Sequence, residues 1–260
     1  MKVIVDGLAI NYQDEGRGDV ILMLHGWGTD LHTFDGLADK LRDKFRVIRL
    51  DFPGFSSSEE PHKDWSVSDY SQFTRRFLDK LNLKDIYVVI AHSFGGRVAI
   101  KALAGSDPAT RSDLATQKMV LMGSAGVKPA MTVKKVLYQT VAKTGKAVTA
   151  LPGLSKLRPV LKRRLYGAVK STDYLEATSP RMRQIFLNVI NEDLRKYAAQ
   201  IDIPSLLIWG ESDTSTPLRD GQTLHKLIKN SELRVIKDAG HFVYIDAPNK
   251  VYEHIKGFIS

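Results

Sequence analysis

The sequence predicts an α/β domain with a mostly parallel sheet that is covered by helices on both faces. Three observations lead to this prediction: short apolar runs of strand length, amphipathic stretches of helical spacing between them, and a length of 260 residues, which suits one large domain. Continuous apolar runs are typical of strands that are buried on both faces. The expected buried strands are 20–25, 46–51, 86–93, 119–123, 205–210 and 233–237.

The N-terminal residues predict a hairpin at one edge of this sheet. Apolar and polar residues alternate on both sides of Asp6-Gly7, a dipeptide that favours a two-residue turn. We see no pattern of a secretory signal peptide, and no apolar run approaches the ~18 residues that a membrane span needs. We therefore expect a cytoplasmic protein without a transmembrane segment.

Amphipathic spacing predicts the helices that cover the sheet. Apolar residues in 70–81 recur three and four positions apart, and Ser66 or Ser68 is available to cap that helix. A last helix is expected to begin at Pro248, because proline is favoured at the first helical position. Asp246 is the expected N-cap of that helix.

One internal segment carries the whole excess of positive charge. Residues 127–200 contain 15 Lys or Arg and 4 Asp or Glu, a net charge of +11, while the rest of the chain carries a net charge of −2. The segment has helical patterns and no convincing strand, and Pro152-Gly153 and Ser179-Pro180 interrupt it. We expect a basic helical cap at 127–200, inserted between core segments 1–126 and 201–260.

The basic cap predicts an anionic partner, either an acidic carrier protein or an anionic lipid, although a solvated helical surface explains the same charge. Nucleic acid is not expected, because the segment lacks a recognisable reading motif. The chain has no cysteine, which excludes disulfides, thiolate metal sites and a cysteine nucleophile. We find no metal-ligand cluster or phosphate-binding glycine loop in the sequence, so we expect no metal and no cofactor.

The most informative stretch is an apolar strand that runs into a small-residue turn at Ser93. A serine hydroxyl becomes a useful nucleophile when a sharp strand-to-helix turn presents it to a base and to backbone N–H donors. Such a turn needs small residues two positions before and after the serine, which here are Ala91 and Gly95. Ala91 departs from the usual G-x-S-x-G pattern by one methyl group.

Polar residues at the ends of other predicted strands supply the remaining parts of a hydrolytic site. Ligands of open α/β sheets bind beyond the carboxyl ends of the strands. Ser93, Asp213 and His241 each follow a predicted strand, in the order nucleophile, acid and base. His241 would take the proton of the serine, and Asp213 would hold its imidazole in the correct tautomer. The backbone N–H groups of Phe94 and Trp27 are expected to form the oxyanion hole.

Nearby polar residues offer alternatives to these assignments. Glu211 is a rival acid, two positions before the predicted one. His92 adjoins the serine, but neighbouring residues of a strand point to opposite faces, so we do not expect it to be the base. We expect His25 to brace its loop by hydrogen bonds, and Asp51 to be a helix cap or a loop anchor.

Taken together, the chain resembles the α/β-hydrolase family over essentially its whole length. The landmarks of that family occur here in order: His25-Gly26-Trp27-Gly28, Asp51-Phe52-Pro53-Gly54-Phe55-Ser56, the turn at Ser93, Trp209-Gly210-Glu211-Ser212-Asp213, and Gly240-His241-Phe242. The resemblance implies an eight-stranded sheet and a helical cap at 127–200. It also implies a triad of Ser93, Asp213 and His241, with the oxyanion hole at Trp27 and Phe94.

The type of nucleophile narrows the chemistry within this family. Relatives that dehalogenate or open epoxides have aspartate at the turn, whereas serine favours an acyl-serine intermediate and a small-molecule carboxylic ester as substrate. Hydrolases of C–C bonds in meta-cleavage products have a similar architecture and stay an alternative. A receptor that keeps the triad and binds a small molecule is the alternative of another class. Esterases of pimeloyl carrier protein are similar in their His-Gly-Trp-Gly motif and basic cap.

Overall fold

The computed structural model describes residues 1–104, 115–128 and 179–260. Most of the predicted cap, residues 129–178, therefore lies outside the described residues, and the domain boundaries stay a prediction. Within the described parts of the chain, eight strands form one mostly parallel sheet with helices on both faces. The predicted fold class is thus confirmed.

The sheet combines an N-terminal hairpin with six further strands. Asp6 and Gly7 form the hairpin turn with φ angles of 53° and 78°, which the predicted turn type requires. The strands are β1 (Lys2–Val5), β2 (Leu8–Glu15), β3 (Val20–Leu24), β4 (Arg46–Leu50), β5 (Asp85–His92), β6 (Ala115–Met122), β7 (Ser205–Gly210) and β8 (Ser231–Ile236). Their spatial order is β1-β2-β4-β3-β5-β6-β7-β8. The pairs β1–β2 and β2–β4 are antiparallel, and the others are parallel.

Two apolar cores cover the faces of this sheet. The described helices are α1 (Asp35–Leu41), which follows a 3₁₀ turn (Leu31–Phe34), α2 (Val67–Lys80), α3 (Phe94–Leu103), α4 (Pro180–Asn191), α5 (Arg195–Ala198), α6 (Leu218–Leu227), α7 (Val243–Asp246) and α8 (Pro248–Ile259). Side chains of α2 to α6 contribute to the first core and those of α1, α7 and α8 to the second. Because strand side chains alternate, Leu22 and Leu24 of β3 enter the first core, and Ile21 and Met23 the second.

The predicted N-cap is confirmed for α2, whereas for α8 the predicted start is confirmed and the predicted N-cap is not. Ser66 caps α2 in a reciprocal capping box with Asp69. Helix α8 begins at Pro248 as predicted, but the prediction of Asp246 as its N-cap is wrong. Asp246 is the last residue of α7, and its carboxylate accepts a hydrogen bond from the backbone N–H of Gly240 at 2.7 Å. Ala247, the residue directly before Pro248, occupies the capping position, and no side chain caps this helix.

Helices α4 and α5 fall within the range predicted for the cap. Their buried side chains, which include Met182, Ile185 and Val189, belong to the first core. The chain leaves the helical conformation at Glu192, and the N–H of Leu194 bonds to the carbonyl oxygen of Gly126 at 2.8 Å.

No helix in the described ranges is long and apolar enough to cross a membrane. The cytoplasmic location stays a prediction.

Candidate active site

Ser93 occupies a strained turn between β5 and α3. Its φ of 48° and ψ of −110° lie in a region that residues other than glycine rarely adopt. Backbone hydrogen bonds hold the turn from both sides. The N–H of Ser93 donates to the carbonyl oxygen of Met122, and the carbonyl oxygen of Ser93 accepts from the N–H groups of Gly96 and Ala125. Strain of this kind persists only where the surrounding structure enforces it, and it is common at functional sites.

The residues around the turn explain why it needs small side chains. A Cβ atom added at Gly95 would lie 2.1 Å from the backbone oxygen of Leu24, so helix α3 packs directly on the end of β3. Ala91 is fully buried and pairs in register with Leu24 and Leu121. The sheet therefore accommodates the extra methyl group that separates this turn from the usual pattern.

Gly95→Ala is expected to destabilise the protein by about 3 kcal/mol, because the new methyl group meets rigid backbone and overpacking costs are of this order. Urea unfolding measures the loss. Gly257→Ala is the matched control, since a Cβ at this exposed position of α8 meets no atom within 4 Å. That change should stabilise the helix by up to ~1 kcal/mol. Equal stabilities of the Gly95→Ala protein and the parent would show that the contact between α3 and β3 is loose.

Asp213 and His241 form a buried hydrogen-bonded pair. Asp213 follows β7 and His241 follows β8, and the imidazole Nδ1 lies 2.8 Å from the carboxylate Oδ2. The side chain of Asp213 is fully buried, and that of His241 is 15% exposed. Burial raises the pKa of Asp213, but the hydrogen bond and charge of His241, with the donors of Thr216, outweigh this and hold the pKa below its ordinary value. The carboxylate is therefore ionised at neutral pH.

Thr216, which was not among the predicted site residues, completes the hydrogen bonding of this carboxylate. Its backbone N–H and that of Ser215 each donate to Asp213 Oδ1 at 2.9 Å, and its hydroxyl lies 2.8 Å from Oδ2. The same hydroxyl lies 2.9 Å from the carbonyl oxygen of Gly123. Trp209 Nε1 fixes the loop from behind by donating to the carbonyl oxygen of Thr216 at 2.7 Å. The signal in the sequence was the Asp-Ser/Thr turn chemistry of 213–216.

Glu211, the rival acid, lies elsewhere. Its side chain is exposed, and its backbone N–H pairs with the carbonyl oxygen of Ile236 in the extension of the sheet. The structure thus brings Asp213, and not Glu211, to His241.

The loop after β6 brings this pair next to the turn at Ser93. The carbonyl oxygen of Met122 accepts the N–H of Ser93, and the following residue, Gly123, borders the pair. A Cβ added at Gly123 would lie 3.2 Å from Asp213 Oδ2 and 3.3 Å from His241 Nδ1. The candidate nucleophile and the acid–base pair therefore share one edge of the sheet.

The two expected oxyanion donors border the same turn. Among the described residues, no hydrogen-bond partner occurs for the backbone N–H of Trp27 or of Phe94. Phe94 opens α3, where helix geometry leaves N–H groups unpaired. Gly26, the neighbour of Trp27, is so close to the turn that an added Cβ would lie 3.4 Å from Ser93 Cβ. Edge contacts of the Trp27 ring with Phe94 and Phe55 brace this loop.

His25 and Asp51 have the bracing roles that the sequence suggested. His25 Nδ1 lies 2.7 Å from the carbonyl oxygen of Gly26, and its Nε2 accepts from the N–H of Phe52 at 2.9 Å. Burial lowers the pKa of His25, which favours this neutral form. The Asp51 carboxylate accepts from the N–H of Leu31 at 2.8 Å, so Asp51 is a loop anchor.

Within the described ranges, no cluster of three or more His, Asp or Glu side chains is arranged to hold a metal ion. The absence of a metal and of a cofactor stays a prediction.

Comparison with known proteins agrees with this architecture. Residues 19–248 match the family described as alpha/beta hydrolase fold. The chain therefore belongs to the α/β hydrolase fold family. Most of the family landmarks that the sequence contains lie at the edge of the sheet described above.

Three similar proteins illustrate the range of this family. A pimeloyl-[acyl-carrier protein] methyl ester esterase of Nitrosomonas europaea is 24% identical over 258 residues, which cover 93% of this chain and 96% of that protein. An esterase from Exiguobacterium antarcticum has a TM-score of 0.74 and 23% identity, covering 98% of this chain and 97% of that one. The meta-cleavage product hydrolase CumD from Pseudomonas fluorescens IP01 has a TM-score of 0.71 and 20% identity, covering 99% and 96%. The likeness to the two solved structures shows a shared fold.

Proposed function

We propose that the protein is a serine hydrolase that cleaves carboxylic esters through an acyl-serine intermediate. The observation that carries the proposal is the buried Asp213 carboxylate, hydrogen-bonded to His241 beside the strained turn at Ser93. In this proposal Ser93 is the nucleophile, His241 is the general base and Asp213 orients the imidazole. The backbone N–H groups of Trp27 and Phe94 receive the oxyanion.

The hydrogen bond between Asp213 and His241 determines how the proton would move. Because the carboxylate holds the proton on Nδ1, the lone pair of the neutral imidazole is on Nε2. Nε2 takes the proton of Ser93 as Oγ attacks the ester carbonyl, and it returns that proton to the departing alcohol. A water molecule, deprotonated by the same nitrogen, then cleaves the acyl-serine. The ionised Asp213 stabilises the imidazolium that forms in each half of the reaction.

The oxyanion donors would act on the charge that develops during attack. Unpaired backbone N–H groups are already oriented before the substrate binds, so they stabilise the tetrahedral intermediate without reorganisation. Removal of one such donor typically costs about 10²–10³ in rate. The contacts of Trp27 with Phe55, Phe94 and Phe186 support its place in this proposal, because they restrain the loop that carries one donor.

Thr216→Val is expected to move the acid limb of the pH–rate profile to higher pH by about one unit, because a lost hydrogen bond to a charged group costs about 1.5 kcal/mol and one unit of pKa corresponds to about 1.4 kcal/mol. Without the hydroxyl, one of the interactions that hold the pKa of Asp213 below its ordinary value is lost. The carboxylate is then protonated at higher pH than in the parent, and once protonated it no longer holds the imidazole of His241 in the active tautomer. The measurement is kcat/KM for a p-nitrophenyl ester between pH 4 and pH 9.

Thr216→Ser is the matched control, since it keeps the hydroxyl and loses only a methyl group. Its acid limb should coincide with that of the parent. If the valine and serine variants had the same profile, the hydroxyl would have no part in setting the charge balance of the pair.

Hydrolysis of a C–C bond is the second candidate reaction, and the likeness to CumD supports keeping it. The same three side chains would suit either reaction, so the two reactions must be distinguished by testing substrates of each kind. A panel of p-nitrophenyl esters of different acyl length and charge, together with a vinylogous diketone, separates the two. We expect turnover of the esters and none of the diketone; the opposite selectivity would replace the ester proposal with C–C cleavage.

A receptor that retains the triad would differ in the number of reaction events. The proposed hydrolase processes many ester molecules per chain, whereas a receptor stops near one. Counting released p-nitrophenol against protein concentration distinguishes them, and a plateau near one equivalent would contradict the proposal.

We also propose an anionic partner for the basic segment 127–200, either an acidic carrier protein or an anionic lipid. The charge of the sequence supports it, and so does the similarity to an esterase that acts on an ester of acyl-carrier protein. Residues 129–178 of this segment lie outside the described residues.

A further inference from the structure

His92 is a buried titratable residue that the proposed reaction does not use. Its side chain lies directly before the turn at Ser93 and is 1% exposed. Its ring lies 4.6 Å from the ring of His241, 5.0 Å from that of Phe242 and 5.1 Å from that of Tyr244, measured between centroids. Burial, followed by repulsion from His241, lowers its pKa from 6.5 to about 3. His92 is therefore a neutral imidazole at physiological pH.

The partners of His92 determine which nitrogen carries its proton. His92 Nε2 lies 3.1 Å from the carbonyl oxygen of His241, and a carbonyl can only accept, so Nε2 must donate. Nδ1 then has a free lone pair, which faces the hydroxyl of Tyr244 at 3.4 Å. That hydroxyl lies 2.8 Å from the hydroxyl of Thr33, which can donate to it in turn. One chain of hydrogen bonds thus runs from Thr33 through Tyr244 and His92 to the backbone of His241.

Close packing leaves the His92 ring little room to move. A Cβ atom added at Gly26 would lie 2.9 Å from His92 Nδ1, so the loop that carries Trp27 presses on one side of the ring. The loop of His241 lies on another side. His92 therefore sits between the loop of an expected oxyanion donor and the loop of the expected base.

We propose that His92 is a positioning residue that fixes the backbone of His241 relative to Ser93. The inference rests on the proposed function, because it assigns His241 the role of base. Asp213 restrains only the Nδ1 end of the imidazole. The bond from His92 restrains the backbone of the same residue, and His92 is covalently joined to Ser93. The two restraints together determine where Nε2 of His241 points, and small misplacements of a reacting group reduce rates strongly.

Two amide substitutions separate the contacts of His92. His92→Gln places an amide N–H at the distance of Nε2 and can still donate to the carbonyl oxygen of His241. His92→Asn places its amide nearer the position of Nδ1 and can reach only Tyr244. We expect kcat to fall about 10- to 100-fold in the Asn variant with little change in KM, and by less than about threefold in the Gln variant. Equal losses in both variants, or a loss in KM alone, would overturn the proposal.

A spectroscopic measurement tests the same idea without activity. The Nδ1 proton of His241, hydrogen-bonded to Asp213, should give a downfield proton resonance in the parent and in His92→Gln. In His92→Asn, a less restrained His241 should lose or broaden that resonance. In the parent, ¹⁵N spectra should show His92 protonated on Nε2 alone; protonation on Nδ1 would overturn the assignment even if neither variant folded.

The two proposals fail in different ways. A parent protein that neither turns over esters nor reacts with a serine-directed fluorophosphonate would contradict the proposed function, while the resonance of His241 would still report on His92. An active parent whose Gln and Asn variants match it in kcat would contradict the positioning role and leave the hydrolase proposal standing.

Discussion

Ser93→Ala is expected to reduce ester hydrolysis by roughly 10⁶-fold, because loss of the nucleophile in enzymes of this type costs about that much. The substitution removes the only atom that would bond to the acyl group. The fold should persist, since alanine is no larger and the turn is held by backbone hydrogen bonds to Met122, Gly96 and Ala125. Steady-state hydrolysis of a p-nitrophenyl ester measures the loss, and thermal unfolding checks the fold.

Ser71→Ala is the matched control for this experiment. Ser71 is a buried serine of α2 whose hydroxyl has no partner among the described residues, so its removal should leave activity unchanged and should not lower stability. If Ser93→Ala retained the activity of the Ser71→Ala variant while both were folded, the assignment of the nucleophile would be wrong.

Asp213→Asn is expected to lower kcat about 10⁴-fold, which is the known cost of an amide in place of the acid of a serine–histidine pair. The amide oxygen takes the position of Oδ1, where it accepts from the backbone N–H groups of Ser215 and Thr216, so the amide NH₂ faces His241. An NH₂ group donates to Nδ1 and cannot accept its proton, so the proton of the imidazole moves to Nε2, where the base needs a lone pair. The variant also loses the negative charge that would stabilise the imidazolium. Because the Asp213 side chain is fully buried, solvent cannot replace either interaction.

Glu211→Gln makes the same chemical change two residues away on an exposed side chain. We expect less than about a twofold change in kcat, since the side chain is exposed and solvent and salt screen its charge. Comparing kcat of the two variants at one pH shows which carboxylate acts on His241. A larger loss in the Glu211 variant would transfer the role of the acid to that residue.

The fold could be predicted because most of its parallel strands are buried and therefore apolar. Strand β7 was predicted at its observed bounds, and the centre of every other parallel strand was found. The start of β6 was missed, since its first half, at Thr116 and Lys118, is partly exposed and polar. Apolar periodicity reports burial, so it cannot detect the part of a strand that is polar and partly exposed.

The site could be predicted as far as its parts are local in sequence. Ser93, Asp213 and His241 could be predicted as site residues because each lies in the turn or loop that follows a predicted strand. The contact of Thr216 with Asp213 was overlooked although it is local to one loop, where the turn chemistry of 213–216 signals it. The contact of Tyr244 with His92 could not be predicted, because it joins residues that are far apart in the sequence. The error at Asp246 has a similar cause: its carboxylate bonds to the preceding loop, which a local capping pattern does not reveal.

The most direct measurement is mass mapping of the adduct that a serine-directed fluorophosphonate forms with the protein. The proposed mechanism requires an activated hydroxyl at Ser93, next to the Asp213–His241 pair. It predicts one phosphonyl group per chain, located on the peptide that contains Ser93, and none after Ser93→Ala. An adduct on another serine, or no adduct in a preparation that hydrolyses esters, would contradict it.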